Sequence, residues 1–182
     1  MAGIRLTPDG VIQVHFVPTI ADTSAPTLAE IAAGTNLTSF LTRAGIDTPD
    51  EGQEADSSDL GSERNKTVPS TISGSPQGEF WRQGDPDGGG PENDSAWTAL
   101  ARGTIGYIVI ARFGGSGTAY AIAATDTVEV WPVRVSNRNN QRVAGGETMR
   151  FQANFSLSDD PVYAATVAAS QQNQHRRIRV GG

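Results

Sequence analysis

The sequence predicts a mainly β fold with one or two short helices, and three observations lead there. In "GGETMRFQANFSLSDDP", residues 145–161, Met149, Phe151, Ala153, Phe155 and Leu157 alternate with Arg150, Gln152, Asn154, Ser156 and Ser158. Side chains of an extended chain point to opposite faces with period two, so this is a strand with one core face and one polar face. The stretch "IGYIVIARF", 105–113, is apolar on both faces and belongs at the centre of a sheet, with material above and below it. The 182 residues also include 21 glycines and 10 prolines, which suits many short strands joined by turns and leaves no room for long helices.

A chain of this length is expected to be one domain with its own core. The expected division is a β domain over 1–160, with an acidic loop over 43–65, followed by a C-terminal arm over 161–182. "VIQVHFV", 11–17, alternates as a strand and stops at Pro18. "SAPTLAEIAAGTNL" follows as a short helix: Thr27 and Glu30 have capping-box spacing, Leu28, Ile31 and Ala32 form an apolar stripe, and Gly34 is the stop. "LTSFLT", 37–42, reads as a short strand. In the next stretch, "GIDTPDEGQEADSSDLGSERN", seven acidic residues among glycines and serines cannot pack a core, which predicts a long loop that orders on binding.

Strands are expected at 66–73 and 78–83, before the turn-rich "GDPDGGGPEND". Asp94 or Ser95 caps a helix of about two turns that carries Trp97, Leu100 and Ala101 on one side and stops at Gly103. That helix is the expected cover for one side of the 105–113 strand. A hairpin-like "FGGSGTAYAIAATD" leads into the strand "TVEVWPVRVSN", then a polar loop, then the alternating strand described first. Beyond Pro161, "VYAATVAASQQNQHRRIRVGG" alternates weakly and reads as an arm ordered by a neighbour.

The ingredients of catalysis are scarce. The absence of cysteine excludes disulfides, thiolate metal sites and cysteine nucleophiles, and suits assembly in a reducing compartment. "MAGIRLTPDG" has no apolar run of signal-peptide length, and no segment approaches the roughly 20 apolar residues of a membrane span. His15 and His175 have no partner at metal-ligand spacing. A calcium loop starting at Asp85 would put Gly89 and Ala96 where ligands are needed, so Asp85, Asp87, Glu92 and Asp94 read as a solvated acidic loop. "FGGSGT" lacks the Lys-Ser/Thr ending of a phosphate cradle, and Ser116 within it lacks the partnered histidine of a hydrolase. No enzyme, metal or cofactor is expected.

Charge is the more informative property. The net charge is −6, yet up to Asp94 there are 15 acidic and 5 basic residues, and from Ser95 onward 5 acidic and 9 basic. Such a two-ended chain is suited to meeting copies of itself through opposite surfaces. The arginines at 134, 138 and 142 and those at 176, 177 and 179 lack an aromatic stacking platform, so specific nucleic-acid recognition is not expected. The expected assembly contacts pair Arg176, Arg177 and Arg179 with the acidic stretch of another copy, made of Asp47, Asp50, Glu51, Glu54, Asp56, Asp59 and Glu63.

The runs "VHFVPTIADTSAPTLAEIAAGTNLT", "GIDTPDEG", "SDLGSERNKTVPSTIS", "WTALARGTIGYIVIARFG", "VEVWPVRVSN" and "ETMRFQANFSLSDDP", taken in order, resemble the tail tube (major tail) proteins of long-tailed phages of actinobacteria. The resemblance implies a β-sandwich subunit with flanking helix, whose inner sheet joins its neighbours into a continuous barrel. It further implies hexameric rings stacked into a non-contractile tube, assembled in the host cytoplasm and present in the virion tail. Implied partners are further copies of the chain, the tape measure protein, the tail terminator and distal tail proteins, and double-stranded DNA passing through the bore without sequence-specific binding. No cofactor or membrane partner is implied.

In such a tube the polar face of "RFQANFSLS" would line the bore or face outer solvent. An acidic or neutral bore lets DNA slide, since arginine or lysine would trap phosphates. The expectation is therefore that the surplus acidic groups include bore-facing ones and that the arginine-rich tail sits at subunit contacts. Two other classes fit a cysteine-free β-rich chain: a capsid decoration or head-tail connector protein, and a carbohydrate-binding β-sandwich. The second needs exposed aromatics on one face, whereas packing explains Trp81, Trp97 and Trp131.

Overall fold

A computed structural model describes residues 12–49, 51–58, 67–84, 94–112, 121–142 and 144–169. Along them run β1 (Gln13–Val17), α1 (Leu28–Ala33), β2 (Thr35–Asn36), β3 (Leu41–Asp47), β4 (Glu51–Asp56), β5 (Thr67–Ser73), β6 (Gln77–Trp81), α2 (Ser95–Ala99), β7 (Ile105–Ala111), β8 (Thr127–Asn140), β9 (Arg150–Leu157) and β10 (Val162–Thr166). One antiparallel sheet has the order β2-β1-β7-β8-β9-β6-β3, with β10 added beside β8, and β4 and β5 form a separate pair.

β7, the strand apolar on both faces, is indeed internal, between β1 and β8. Its two faces feed two cores. Ile108 and Ile110 join Val14, Phe16, Phe80, Trp131, Val133, Val135, Phe151, Ala153 and Phe155, and this core is closed by Leu37, Phe40, Ala96 and Leu100. Fully burying each large apolar side chain there contributes roughly 1.5–3 kcal/mol. On the other side Val109 and Ala111 meet Val17, Ile20, Ile31, Val128, Val130, Ala165 and Val167. The alternating strand keeps its expected core face at Phe151, Ala153 and Phe155, but Met149 precedes β9 and is 59% exposed.

Long β8 has its first half paired with β10 and its second half with β9, while β7 occupies its other edge. Pro132, awkward in an internal strand, falls in the gap between the last β10 partner, Val130, and the first β9 partner, Val133. Its carbonyl accepts from Ser158 N–H on that side, so its missing N–H also faces the gap and leaves no ladder bond unmade.

Both helices start as their sequences predict. Thr27 accepts from Glu30 N–H, and the Glu30 carboxylate accepts from Thr27 N–H at 2.8 Å, a complete capping box. Gly34 follows α1 with an extended backbone; what requires glycine is space, since a Cβ would lie 2.6 Å from the Phe16 carbonyl oxygen. Asp94 caps α2, and the helix ends at Leu100, not at Gly103, which instead makes the positive-φ turn into β7. Asp94, 1% exposed, pairs with Arg82. Arg82 and Arg138 each stack over the Trp97 ring of α2, with guanidinium carbons 4.0 and 3.9 Å from the ring centroid. Trp97 in turn meets Phe151 edge-on, which fastens this short helix onto the core.

Three further expectations change. Residues 38–40 are a turn, and β3 begins only at Leu41: Leu37 N–H donates to Val14 and Phe40 carbonyl accepts from Trp81 N–H, so the segment bridges β1 to β6. The acidic stretch is not all loop, because Glu51–Asp56 pairs with Thr67–Ser73. Composition forbids that segment a core, but ladder hydrogen bonds need none. The expected arm enters the sheet at its start, where Val162, Ala165 and Thr166 pair with β8 and the apolar Ala165 and Val167 are buried. The expected strand ends at Phe113 and the "FGGSGT" turn reach beyond the described residues.

Candidate assembly surface

Among the described residues, the face of the sheet opposite the larger core is covered by α1 and its surroundings only over β1, β7 and the first half of β8. Over the rest, strand register sets out polar residues in rows. Arg134 is level with Ser156; Asn137, Asn154, Gln77 and Asp47 form the next row; Asn139, Gln152 and Glu79 the next; Arg150 and Trp81 the last. The amides are tied across strands: Asn154 Nδ2 donates to Asn137 Oδ1 at 2.9 Å, and Gln152 Nε2 to Gln77 Oε1 at 3.1 Å. Thr42 Oγ1 donates to Glu79 Oε2 at 2.9 Å, and Glu79 Oε1 lies 3.4 Å from Arg150 Nε. A register shift in β3 between Leu41 and Ile46 opens a groove of about 450 Å³ beside this face, lined by Gly45, Asp47, Gln77, Glu79, Gln141 and Gln152.

This polar sheet has two strand edges without a partner among the described residues. One is the outer edge of β3, last in the strand order. The other is β8 beyond Val135: β7 pairing ends at Arg134, and Val135 bonds to Gly103 and Thr104. Gln141 N–H donates to Arg150 in β9, so by alternation the N–H groups of Arg138 and Asn140 point to the free edge. Free edges of this kind template pairing with another chain.

The residues expected at assembly contacts separate. Asp47 ends β3 and belongs to the polar face. Glu51, Glu54 and Asp56 lie along β4, with Glu54 and Asp56 exposed. Hydrogen bonds from the side chain and then the backbone of Ser58 lower the Asp56 carboxyl pKa. Asp50, Asp59, Glu63, Arg176, Arg177 and Arg179 lie outside the described residues. Glu79 and Arg150 were not singled out from the sequence; the signal was the alternation of Gln77, Glu79 and Trp81, legible only once their strand is paired with β9. Among the described residues there is no cluster of three or more His, Asp or Glu able to hold a metal ion, and no helix long and apolar enough to cross a membrane.

Three solved structures are similar in fold. The SPP1 tail tube, a hybrid solid-state NMR and cryo-EM structure, has a TM-score of 0.56 at 7% identity, covering 87% of this chain and 79% of that one. A chain of the virion of a native gene transfer agent particle has a TM-score of 0.52 at 7% identity, covering 87% and 98%. A chain of the anti-feeding prophage baseplate, 6-fold symmetrised, has a TM-score of 0.51 at 11% identity, covering 90% and 98%. No curated protein matches the sequence. A family profile described as "Phage tail tube protein" matches residues 1–170. By that match over most of its length the chain belongs to the phage tail tube protein family, and it is a structural component of the virion tail.

Proposed function

We propose that copies of this chain close into six-membered rings through the two free edges of the polar sheet, and that the rings stack into the tube of a long-tailed, non-contractile phage of actinobacteria. The β3 edge of one subunit pairs with the β8 edge of the next, which makes the sheet continuous around the ring and turns its polar face to the bore. The observation that carries this is the coincidence of the two features. The four strands whose outer face is polar, the second half of β8 with β9, β6 and β3, are also those bounded on both sides by edges unpaired among the described residues. A ring of strands has no edge left to aggregate, and it needs one wet face and one core face.

Stacking contacts then fall to β4, with Glu54 and Asp56, and to the arginines at 176, 177 and 179 of another copy. In this reading residues 1–160 together with β10 build the wall, and the rest of the chain beyond β10 links subunits. The tape measure protein and then double-stranded DNA occupy the bore, and terminator and distal tail proteins cap the tube. Support for six-membered rings comes from the solved baseplate of similar fold, which is 6-fold symmetrised. Negative-stain electron microscopy of the purified protein tests the proposal: hollow rings or tubes are expected, and a compact monomer under all conditions overturns it.

A further inference from the structure

The charges along the rows of the polar face balance. Its rows hold two arginines, Arg134 and Arg150, two carboxylates, Asp47 and Glu79, and between them five carboxamides: Gln77, Asn137, Asn139, Gln152 and Asn154. Arg150 opens β9, with its side chain 34% exposed beside the half-buried Trp81. Glu79 lies diagonally across the strand pair, and its 3.4 Å approach is the only carboxylate contact to Arg150 among the described residues. Arg150 Nε is buried without a hydrogen-bond partner, so the carboxylate acts on it by charge and not by directed bonding. Thr42 holds Glu79 from the other side through Oε2, which fixes the carboxylate where it faces the guanidinium.

We propose that Glu79 is a positioning and neutralising residue that keeps Arg150 from adhering to a polyanion, beside a lane in which four of the five carboxamides are bonded in pairs. The partner is duplex DNA, and the inference rests on the reading that this face lines the bore. A phosphate is attracted by an uncompensated guanidinium and releases counterions when it binds; a carboxamide already bonded to its neighbour offers neither charge nor a spare donor of comparable strength. Repeated around and along a tube, an uncovered Arg150 in each subunit would add a ladder of phosphate traps beyond whatever attraction the exposed Arg134 exerts.

The test uses dispersed subunits, whose polar face is open, and a short fluorescent duplex, with binding followed by anisotropy over a salt series. Glu79→Gln keeps the size of the side chain and an acceptor for Thr42. It is expected to bind the duplex roughly tenfold more tightly than the unaltered protein at low salt, with a log–log salt slope steeper by about 0.9 for one added phosphate contact. The double variant Glu79→Gln with Arg150→Gln is expected to return to the unaltered affinity, a rescue that general loosening of the strands would not produce. Arg150→Gln alone is expected to bind no more weakly than the unaltered protein. The proposal is overturned if Glu79→Gln binds no more tightly, if the double variant stays tight, or if Arg150→Gln alone weakens binding, since Arg150 would then already be adhesive. The last comparison stands even if Glu79→Gln fails to fold. Ring and tube formation is scored separately by microscopy, so a failure of the assembly reading is told apart from a failure of this one.

Discussion

His15 sits in β1 between Asn36 of β2 and Val109 of β7, with Nε2 3.3 Å from Gln13 Oε1 and Nδ1 buried without a partner. Burial pushes the imidazole pKa below its ordinary value of 6.5. A histidine that is harder to protonate when folded binds more protons when unfolded. Its neutral form is therefore compatible with full stability above pH 6.5, and stability declines as pH falls through 6.5 toward the lowered folded value. Melting temperatures measured from pH 7.5 to 5 should fall in the unaltered protein, and His15→Gln should flatten that part of the profile. An equal slope in both proteins would show that His15 is not the source. The sequence marked His15 as a strand residue without metal partners. Its burial was not legible there, because it depends on β2 and β7 flanking it from elsewhere in the chain.

At the scale of elements, α2 has five residues and cannot hold itself together, since so short a helix does not recover the cost of its first turn. Its cohesion comes from Asp94, which accepts from Trp97 N–H as the cap and pairs with Arg82, and from Trp97 between two guanidinium groups. Arg138 Nη1 also donates to the Trp97 carbonyl, and Arg82 Nη1 donates to Asn140 Oδ1 at 2.7 Å. Asp94→Ala should cost about 3–5 kcal/mol, the scale for leaving one partner of a buried pair uncompensated. Urea unfolding measures this, and a loss under about 1 kcal/mol would mean that the pair contributes little beyond the cap. The position of this helix and its cap were readable from "NDSAWTAL", since capping is a local matter of a few residues. The two arginines that clamp it come from beyond β6 and from β8, and no local pattern announces them.

At the scale of the whole molecule, the free edge of β8 makes a prediction specific to assembly. The amides of Arg138 and Asn140 should exchange hydrogen quickly in dispersed subunits and slowly in rings or tubes, while Asn139, which faces β9, should be protected in both. Mass-spectrometric or NMR exchange resolves the three; unchanged exchange at Arg138 and Asn140 on assembly would exclude this edge from the ring contact. The sequence by itself determined the mainly β class, a central strand starting at Ile105, the core face of Phe151, Ala153 and Phe155, and the start of both helices, at Thr27 and at Asp94 or Ser95. Each of these is set by side chains within a few residues of one another, through the period of a strand or the reach of a cap. The tertiary structure alone decided that an acidic segment forms a strand, that Pro132 falls in a gap between two neighbours, and that Glu79 meets Arg150. Those depend on which distant strands lie side by side and in what register, and a one-residue slip would turn every such pair to opposite faces.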